Sequence, residues 1–386
     1  MPLFDVVDRP LDHGADEGEA AYRYLNRSGR PEVAAVRAKF VDFLARYPEE
    51  SRDNLITRFR SDDDVSHYSA VFELLLHEAL LCVGATIEAI EPKLAHTDRS
   101  PDFLVRSANG ERFYLEATLA TGLSDSDRRS KRLFDEAVQA VNEVASTHFL
   151  LSARFSGMPS GPIRRRRLRS AVETWLATLD YEQVKALGND AIAGDPPFRH
   201  EEKNLTVELW PIPVKHPGEP VERAIGMHWG DAWSKTVGGA LRSALNGKAG
   251  RYGNLDLPYV IAVNGLDHNG QRHDVLAALL GQEVVRFPLG PNAGEPRLDR
   301  DWDGLWIRPD GNRRCLGVSG VLVCDNLTLW SAAKNDVVYV GHPAPRRPLA
   351  NFPLPVTMLL PNDDNLVETR GETIGQILGL SDNWPA

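Results

Sequence analysis

Three carboxylates and a threonine carry the clearest chemical signal in this chain: Glu73, Asp102, Glu116 and Thr118. Glu73 lies in a run that is apolar on nearly every face, with Ser69 four residues before it and His77 four after. Asp102 follows Pro101, and Glu116 and Thr118 are two residues apart in an alternating segment. Carboxylate oxygens are the ligands that a hard divalent cation such as Mg²⁺ selects. Such a set, gathered from a helix and a hairpin, would support metal-assisted hydrolysis.

The elements that must position these residues can be read locally. Val71 to Val83 is a buried helix that Gly84 is placed to end. A carboxylate in that setting costs several kcal/mol unless it is paired or metal-bound, so Glu73 needs a partner: a metal, His77 or a basic side chain. Strand patterns follow at Thr86 to Ile90, Asp102 to Val105 and Arg112 to Leu119, and Asn109-Gly110 marks a hairpin between the last two. A two-residue turn would set Phe103 opposite Glu116, mixing apolar and charged groups on both faces. A three-residue loop, Ala108-Asn109-Gly110 with Gly110 left-handed, sets Asp102 opposite Glu116, Phe103 opposite Leu115 and Val105 opposite Phe113. The second register sorts every residue and is the one expected.

The rest of the chain is read more briefly. A helix starts at Pro31; another runs from about Lys131 to Val144, followed by a strand from Phe149 to Phe155. Arg164, Arg165, Arg166, Arg167 and Arg169 open a further helix. Cations there oppose the helix dipole, so the cluster points either to nucleic-acid phosphates or to the protein's own acidic surface. Asn204 to Pro213 reads as a strand, and the stretch before it, with Gly194, Pro196 and Pro197, as loop. A helix from about Ala232 to Lys248 leads to a continuous apolar strand, Tyr259 to Val263, of the kind buried in a parallel or mixed sheet. A helix from His273 ends at Gly281, and strands near Gly320 to Cys324 and Val337 to Val340 lie among many glycines and prolines. Trp302, Trp306 and Trp330 read as core aromatics or as anchors for a partner.

Other motifs fail on their spacing. His77-Glu78 is not followed by a second histidine at Leu81; Gly247-Lys248 lacks both the first glycine, at Arg242, and the Ser/Thr, at Ala249, of a phosphate loop; Gly317-Val318-Ser319-Gly320 is not a nucleophile elbow. Asp267, His268, His273 and Asp274 read as ordinary surface residues of a turn and a helix start.

Bulk properties narrow the class. A chain of 386 residues with 42% hydrophobic and 25% charged residues is globular in type. The three cysteines, Cys82, Cys315 and Cys324, form neither a disulfide framework nor a thiolate zinc site. A net charge of −10 speaks against a non-specific nucleic-acid coat, though not against a local cationic groove. No signal-peptide pattern or membrane-length apolar run is read, so the expected location is the cytoplasm.

Phe72-Glu73-Leu74 with His77, then Pro101-Asp102-Phe103, then Tyr114-Leu115-Glu116-Ala117-Thr118 resembles the PD-(D/E)xK, or restriction-endonuclease-like, superfamily. More specifically, the chain is similar to bacterial nuclease-fold proteins that share a later Lys248-Ala249-Gly250-Arg251-Tyr252-Gly253 stretch leading into Pro258 to Asn264. The core motifs span about 50 residues, and the later stretch extends the resemblance along much of the chain.

The resemblance implies an α/β fold in which helices flank a mixed central sheet, with insertions and an irregular C-terminal extension. The corresponding divisions are an N-terminal helical segment 1–60, a core 61–265 with an insertion at about 157–232, and an extension 266–386 packed on the core. It implies that Glu73, Asp102 and Glu116 hold Mg²⁺ or Mn²⁺ and that the metal-activated water attacks a phosphodiester.

Thr118 departs from the family pattern, which has lysine there. Threonine hydrogen-bonds a water without supplying charge, so the missing cation is sought at Lys248 first and at Lys93 second. The expected catalytic set is therefore Asp102, Glu116, Thr118 and Lys248, with Arg164, Arg165, Arg166 and Arg167 as candidate nucleic-acid contacts. Expected partners are nucleic acid, with DNA ahead of RNA, a second copy of the chain or a defence-system protein, and no membrane. The alternative is a catalytically silent nuclease fold that binds nucleic acid or acts as a scaffold.

Overall fold

The structure is a computed structural model. The description covers all 386 residues except 11–12, 17, 121–124, 158, 188–195, 222, 231–236, 267–271, 282, 287–296, 301–303, 307–311, 363–364 and 386. In chain order the elements are α1 (Ala21–Arg27), α2 (Pro31–Arg46), α3 (Glu49–Phe59), α4 (Asp64–Cys82), β1 (Thr86–Ile90), β2 (Phe103–Arg106) and β3 (Arg112–Ala120). Next come α5 (Asp125–Asn142), β4 (Phe149–Ser156), α6 (Arg165–Leu176), α7 (Tyr181–Leu187), β5 (Phe198–Glu202), β6 (Leu205–Pro213) and β7 (Ile225–Gly230). The chain continues with α8 (Val237–Ala249), β8 (Tyr259–Gly265), α9 (Arg272–Leu280), β9 (Glu283–Arg286), β10 (Arg297–Arg300) and β11 (Gly320–Asp325). It closes with β12 (Val338–Gly341), β13 (Thr357–Asn362), β14 (Asn365–Thr369) and α10 (Ile374–Ile377).

Two compact units result, one from residues 1–14, 20–122 and 235–386, the other from 15–19 and 123–234. The first holds an eight-stranded sheet in the order β1-β2-β3-β8-β11-β12-β13-β14. Its β3, β8 and β11 run parallel, as do β12 and β13, whereas β1, β2 and β3 are successively antiparallel, so the sheet is mixed. Every residue of β8 is buried, as its continuous apolar run requires of a strand covered on both faces. On one face Phe103, Leu115, Val260 and Leu322 join the core that includes α4 and the helices before it. On the other, Tyr114, Ile261, Val263 and Val321 join residues of α8 and α9.

Helix α4 starts earlier than its apolar run suggests. Asp63 caps it by accepting a hydrogen bond from the Ser66 amide, and the left-handed Gly84 (φ +75°) follows its end. Leu74, Leu75, Leu80 and Ala79 are fully buried, which confirms a helix without a solvent face. The hairpin register is the one with a three-residue loop. Phe103 pairs with Leu115, Leu104 with Tyr114 and Val105 with Phe113, and Gly110 has φ +89°. The Ser107 amide donates to Glu111 O and the Gly110 amide to Ser107 O, closing the loop.

The second unit carries a four-stranded sheet, β5-β6-β4-β7, whose core includes residues of α5, α6 and α7. Its main segment runs from 123 to 234, against an insertion expected at about 157–232, because β4 is an inner strand of this sheet, antiparallel to β6 and parallel to β7. The stretch read as loop before β6 contains α7 and β5, and Gly194 lies outside the described residues. Pairing with β6 makes β5 a strand although its sequence, Phe-Arg-His-Glu-Glu, has little apolar signal.

The C-terminal part corrects a second expectation. It supplies β11 to β14, half of the large sheet, and is not an irregular extension packed on a finished core. These strands are short and interrupted by glycine and proline, which conceals them, yet Val321, Val338 and Val340 are buried between layers. Trp306 is fully buried and Trp330 packs against the core, while Trp302 lies outside the described residues. Among the described residues no helix is long and apolar enough to cross a membrane.

Candidate functional site

Asp102 stands one residue before β2, where its carbonyl accepts from the Glu91 amide at 2.9 Å. Its side-chain Oδ2 accepts from the backbone amide of Ala117 at 2.6 Å, which fixes the carboxyl beside β3. Continuing the observed register by one residue sets Asp102 opposite Glu116, on the sheet face toward α8. Thr118 is the next residue of that face, aligned with Val263 of β8 and partly exposed.

Glu116 is 2% exposed, and both of its oxygens are engaged. Lys248 Nζ, from the last turn of α8, pairs with Oε1; the Tyr252 hydroxyl donates to Oε2 at 2.5 Å. That hydroxyl also lies 2.9 Å from the Ser100 carbonyl oxygen, so Tyr252 links β3 to the segment that presents Asp102. The Tyr252 ring meets Tyr259 edge-on at 5.7 Å, and its carbonyl contacts His96 Nε2 at 2.7 Å. Burial and the adjacent Glu116 carboxylate hold the Tyr252 hydroxyl above its ordinary pKa, so it remains a donor.

Asp102 has the most perturbed carboxyl of the site. Burial, then the charges of Glu116 and Glu73, push it up to about 8 against the opposing effects of the Ala117 amide and Lys248. Exposed surface remains on the residue, but its carboxyl group lies deep enough for desolvation to dominate.

Glu73 finds its partners elsewhere. Tyr47 donates to Oε1 at 2.5 Å and Arg58 pairs with Oε2 at 2.7 Å, so both oxygens are engaged by the N-terminal helical layer. His77 is buried against the Tyr47 ring at 4.8 Å and the Phe103 ring at 6.2 Å; its Nδ1 has no hydrogen-bond partner, and burial holds it down to about 4. Glu73 thus takes a tyrosine and an arginine in place of the three-carboxylate ligand set expected for it. Among the described residues no group of three His, Cys, Asp or Glu side chains is placed to hold a metal ion. The two carboxylates that do share one face, Asp102 and Glu116, offer the hard oxygen chemistry that Mg²⁺ or Mn²⁺ requires.

The structure therefore brings together Asp102, Glu116 and Lys248, leaves Thr118 on the same face, and keeps Glu73 within electrostatic reach of Asp102. Lys93 is exposed and takes no part. Sequence reasoning passed over Tyr252, Tyr47 and Arg58. Tyr252 stood inside the Lys248 to Gly253 stretch and could have been found there; Tyr47 and Arg58 had no local signal. Asp267 and His268 lie outside the described residues.

In the second unit Arg164 pairs with Glu202 at 3.7 Å, Arg165 and Arg169 share Glu143 at 3.2 and 3.5 Å, and Arg166 and Arg167 are exposed. Part of the cluster is thus satisfied by the protein's own acids. No family model, curated protein or solved structure matches the chain.

Proposed function

We propose that the chain is a metal-dependent nuclease of the restriction-endonuclease-like kind, acting on the phosphodiester backbone of DNA or RNA, in the cytoplasm and in a defence context. One observation carries the reading: Lys248, from outside the hairpin, meets Glu116 beside Asp102, supplying the cation that Thr118 cannot. The mixed sheet with its antiparallel hairpin running into parallel strands agrees with the same reading.

Asp102 and Glu116 are the residues that would hold Mg²⁺ or Mn²⁺. Bound there, the ion would supply an acidified water and charge neutralisation at the phosphate. Lys248 would place a positive charge next to the reacting phosphate, Tyr252 would keep Glu116 oriented, and Thr118 would hydrogen-bond water on the same face.

The test is cleavage of DNA and of RNA by purified protein with Mg²⁺ or Mn²⁺, beside Asp102→Asn and Glu116→Gln. Loss of cleavage by about a hundredfold or more in each variant supports the reading. Cleavage that survives in both overturns it.

The Lys248–Glu116 pair also favours a second reading, in which the lysine takes the cation's place and the site is silent. The fold would then bind nucleic acid, or a partner protein, without cutting. Binding without cleavage under every metal condition would select it.

A further inference from the structure

The N-terminal half of α6 presents more positive charge than its surroundings neutralise. Among the described residues, Arg165, Arg166 and Arg169 line a cleft of about 350 Å³ together with one carboxylate, Glu143. That volume is many times the share of one water, about 30 Å³, so the cleft admits a hydrated anion. Glu143 is divided between two guanidinium groups, Arg165 on Oε1 at 3.2 Å and Arg169 on Oε2 at 3.5 Å. Both contacts are longer than a tight charge-assisted pair of about 2.7–2.9 Å. Glu173 adds only a 3.9 Å contact to Arg169, and its Oε1 also accepts from the Ala145 amide at 3.4 Å. Arg166 is exposed and, among the described residues, makes no ion pair.

Helix stability does not explain the cluster, since cations in a first turn oppose the helix dipole. Core packing does not explain it either: Leu168, Val172 and Leu176 form the buried stripe, and Arg165 and Arg169, at its edge, keep 44% and 41% of their side chains exposed. Arginine in place of lysine at all three cleft positions matters because the planar guanidinium fork matches the oxygens of a phosphate.

We infer that the α6 face carrying Arg165, Arg166 and Arg169 binds the phosphodiester backbone of a nucleic acid. The inference rests on the nuclease reading for its choice of polyanion, and it gives that reading a contact surface remote in sequence from Asp102 and Glu116. Arg169 belongs to this surface, whereas Arg164, paired with Glu202, does not line the cleft. Phosphate contacts of this type position a strand without reading its sequence.

The experiment uses the full chain in EDTA, with fluorescent duplex DNA and single-stranded RNA of equal length titrated at several salt concentrations. Replacing Arg165, Arg166 and Arg169 together by Gln is expected to weaken binding of the preferred nucleic acid about tenfold or more at 0.15 M salt. It should also reduce the salt slope by about three, near one per lost phosphate contact. Arg166→Gln alone breaks no ion pair, keeps the fold and should reduce the slope by about one.

Unchanged affinity and slope in both variants would overturn the inference. So would wild-type protein that binds neither nucleic acid but captures polyglutamate, which would make the surface one for acidic protein. Reduced binding in the arginine variants, with no cleavage by the wild type under any metal condition, would uphold this surface and remove the nuclease reading.

Discussion

Lys248 and Glu116, 132 residues apart in the chain, form an ion pair at the face where α8 covers β3 and β8. Glu116 is 2% exposed and Lys248 21%, so the pair is shielded from solvent on its acidic side. It makes the carboxylate site depend on a residue that no local pattern connects to the hairpin.

Lys248→Ala leaves a buried carboxylate with Tyr252 as its one remaining donor among the described residues. A loss of about 1–3 kcal/mol in unfolding free energy is expected, since an uncompensated buried charge is costly. Cleavage, if metal-dependent, should fall by at least about tenfold. Lys93→Ala should change neither. Denaturant unfolding and the nuclease assay check both; equal effects of the two substitutions would contradict the assignment of Lys248.

Tyr252→Phe removes the hydroxyl between Glu116 and Ser100 while keeping the ring against Tyr259. The expected cost is about 1.5–3 kcal/mol, the range for one hydrogen bond to a charged group. A larger loss in kcat than in KM would show that Glu116 orientation, not substrate binding, has been disturbed.

The raised Asp102 carboxyl, at about 8, gives a definite sign to stability against pH. The folded protein holds this proton more tightly than the unfolded chain, whose aspartate titrates near 4. Stability from this group is therefore full below about pH 4 and is lost as pH rises toward 8. Asp102→Asn should be more stable than the wild type at pH 8, by on the order of 1–3 kcal/mol and with a higher unfolding temperature, and show little difference at pH 4. Thermal unfolding at the two pH values measures it, and a difference confined to pH 4 would reverse the sign claimed here.

Three buried histidines act in the opposite direction. Burial holds His67, His77 and His342 down to about 4, so each stays neutral in the fold while the unfolded chain takes up protons near 6.5. Stability they contribute is present above pH 6.5 and is lost as pH falls to 4. In an Asp102→Asn background, unfolding temperature should rise steadily from pH 4 to 6.5; a flat profile would show that these histidines are already protonated in the folded protein.

Gly110 holds the hairpin register at φ +89°, with open space where a side chain would stand. Gly110→Ala should cost about 1 kcal/mol through backbone strain alone, without a clash. A neutral result in denaturant unfolding would mean that the loop reaches the same register without a left-handed residue.

The sequence by itself determined the buried character of α4, the continuous strand β8 and the pairing of Asp102 with Glu116. In each case the information is local: a run without a polar face, a run without alternation, and a two-residue period that permits only one loop length. Tertiary structure alone decided that Tyr47 and Arg58 engage Glu73 and that Tyr252 engages Glu116, and it put Lys248, named from the sequence ahead of Lys93, against that carboxylate. It also placed β11 to β14 in the main sheet and drew β4 and α5 into the second unit. The physical reason is strand order. Parallel neighbours such as β3 and β8 are joined by long excursions, and which distant side chains face a buried carboxylate follows from that order rather than from any spacing along the chain.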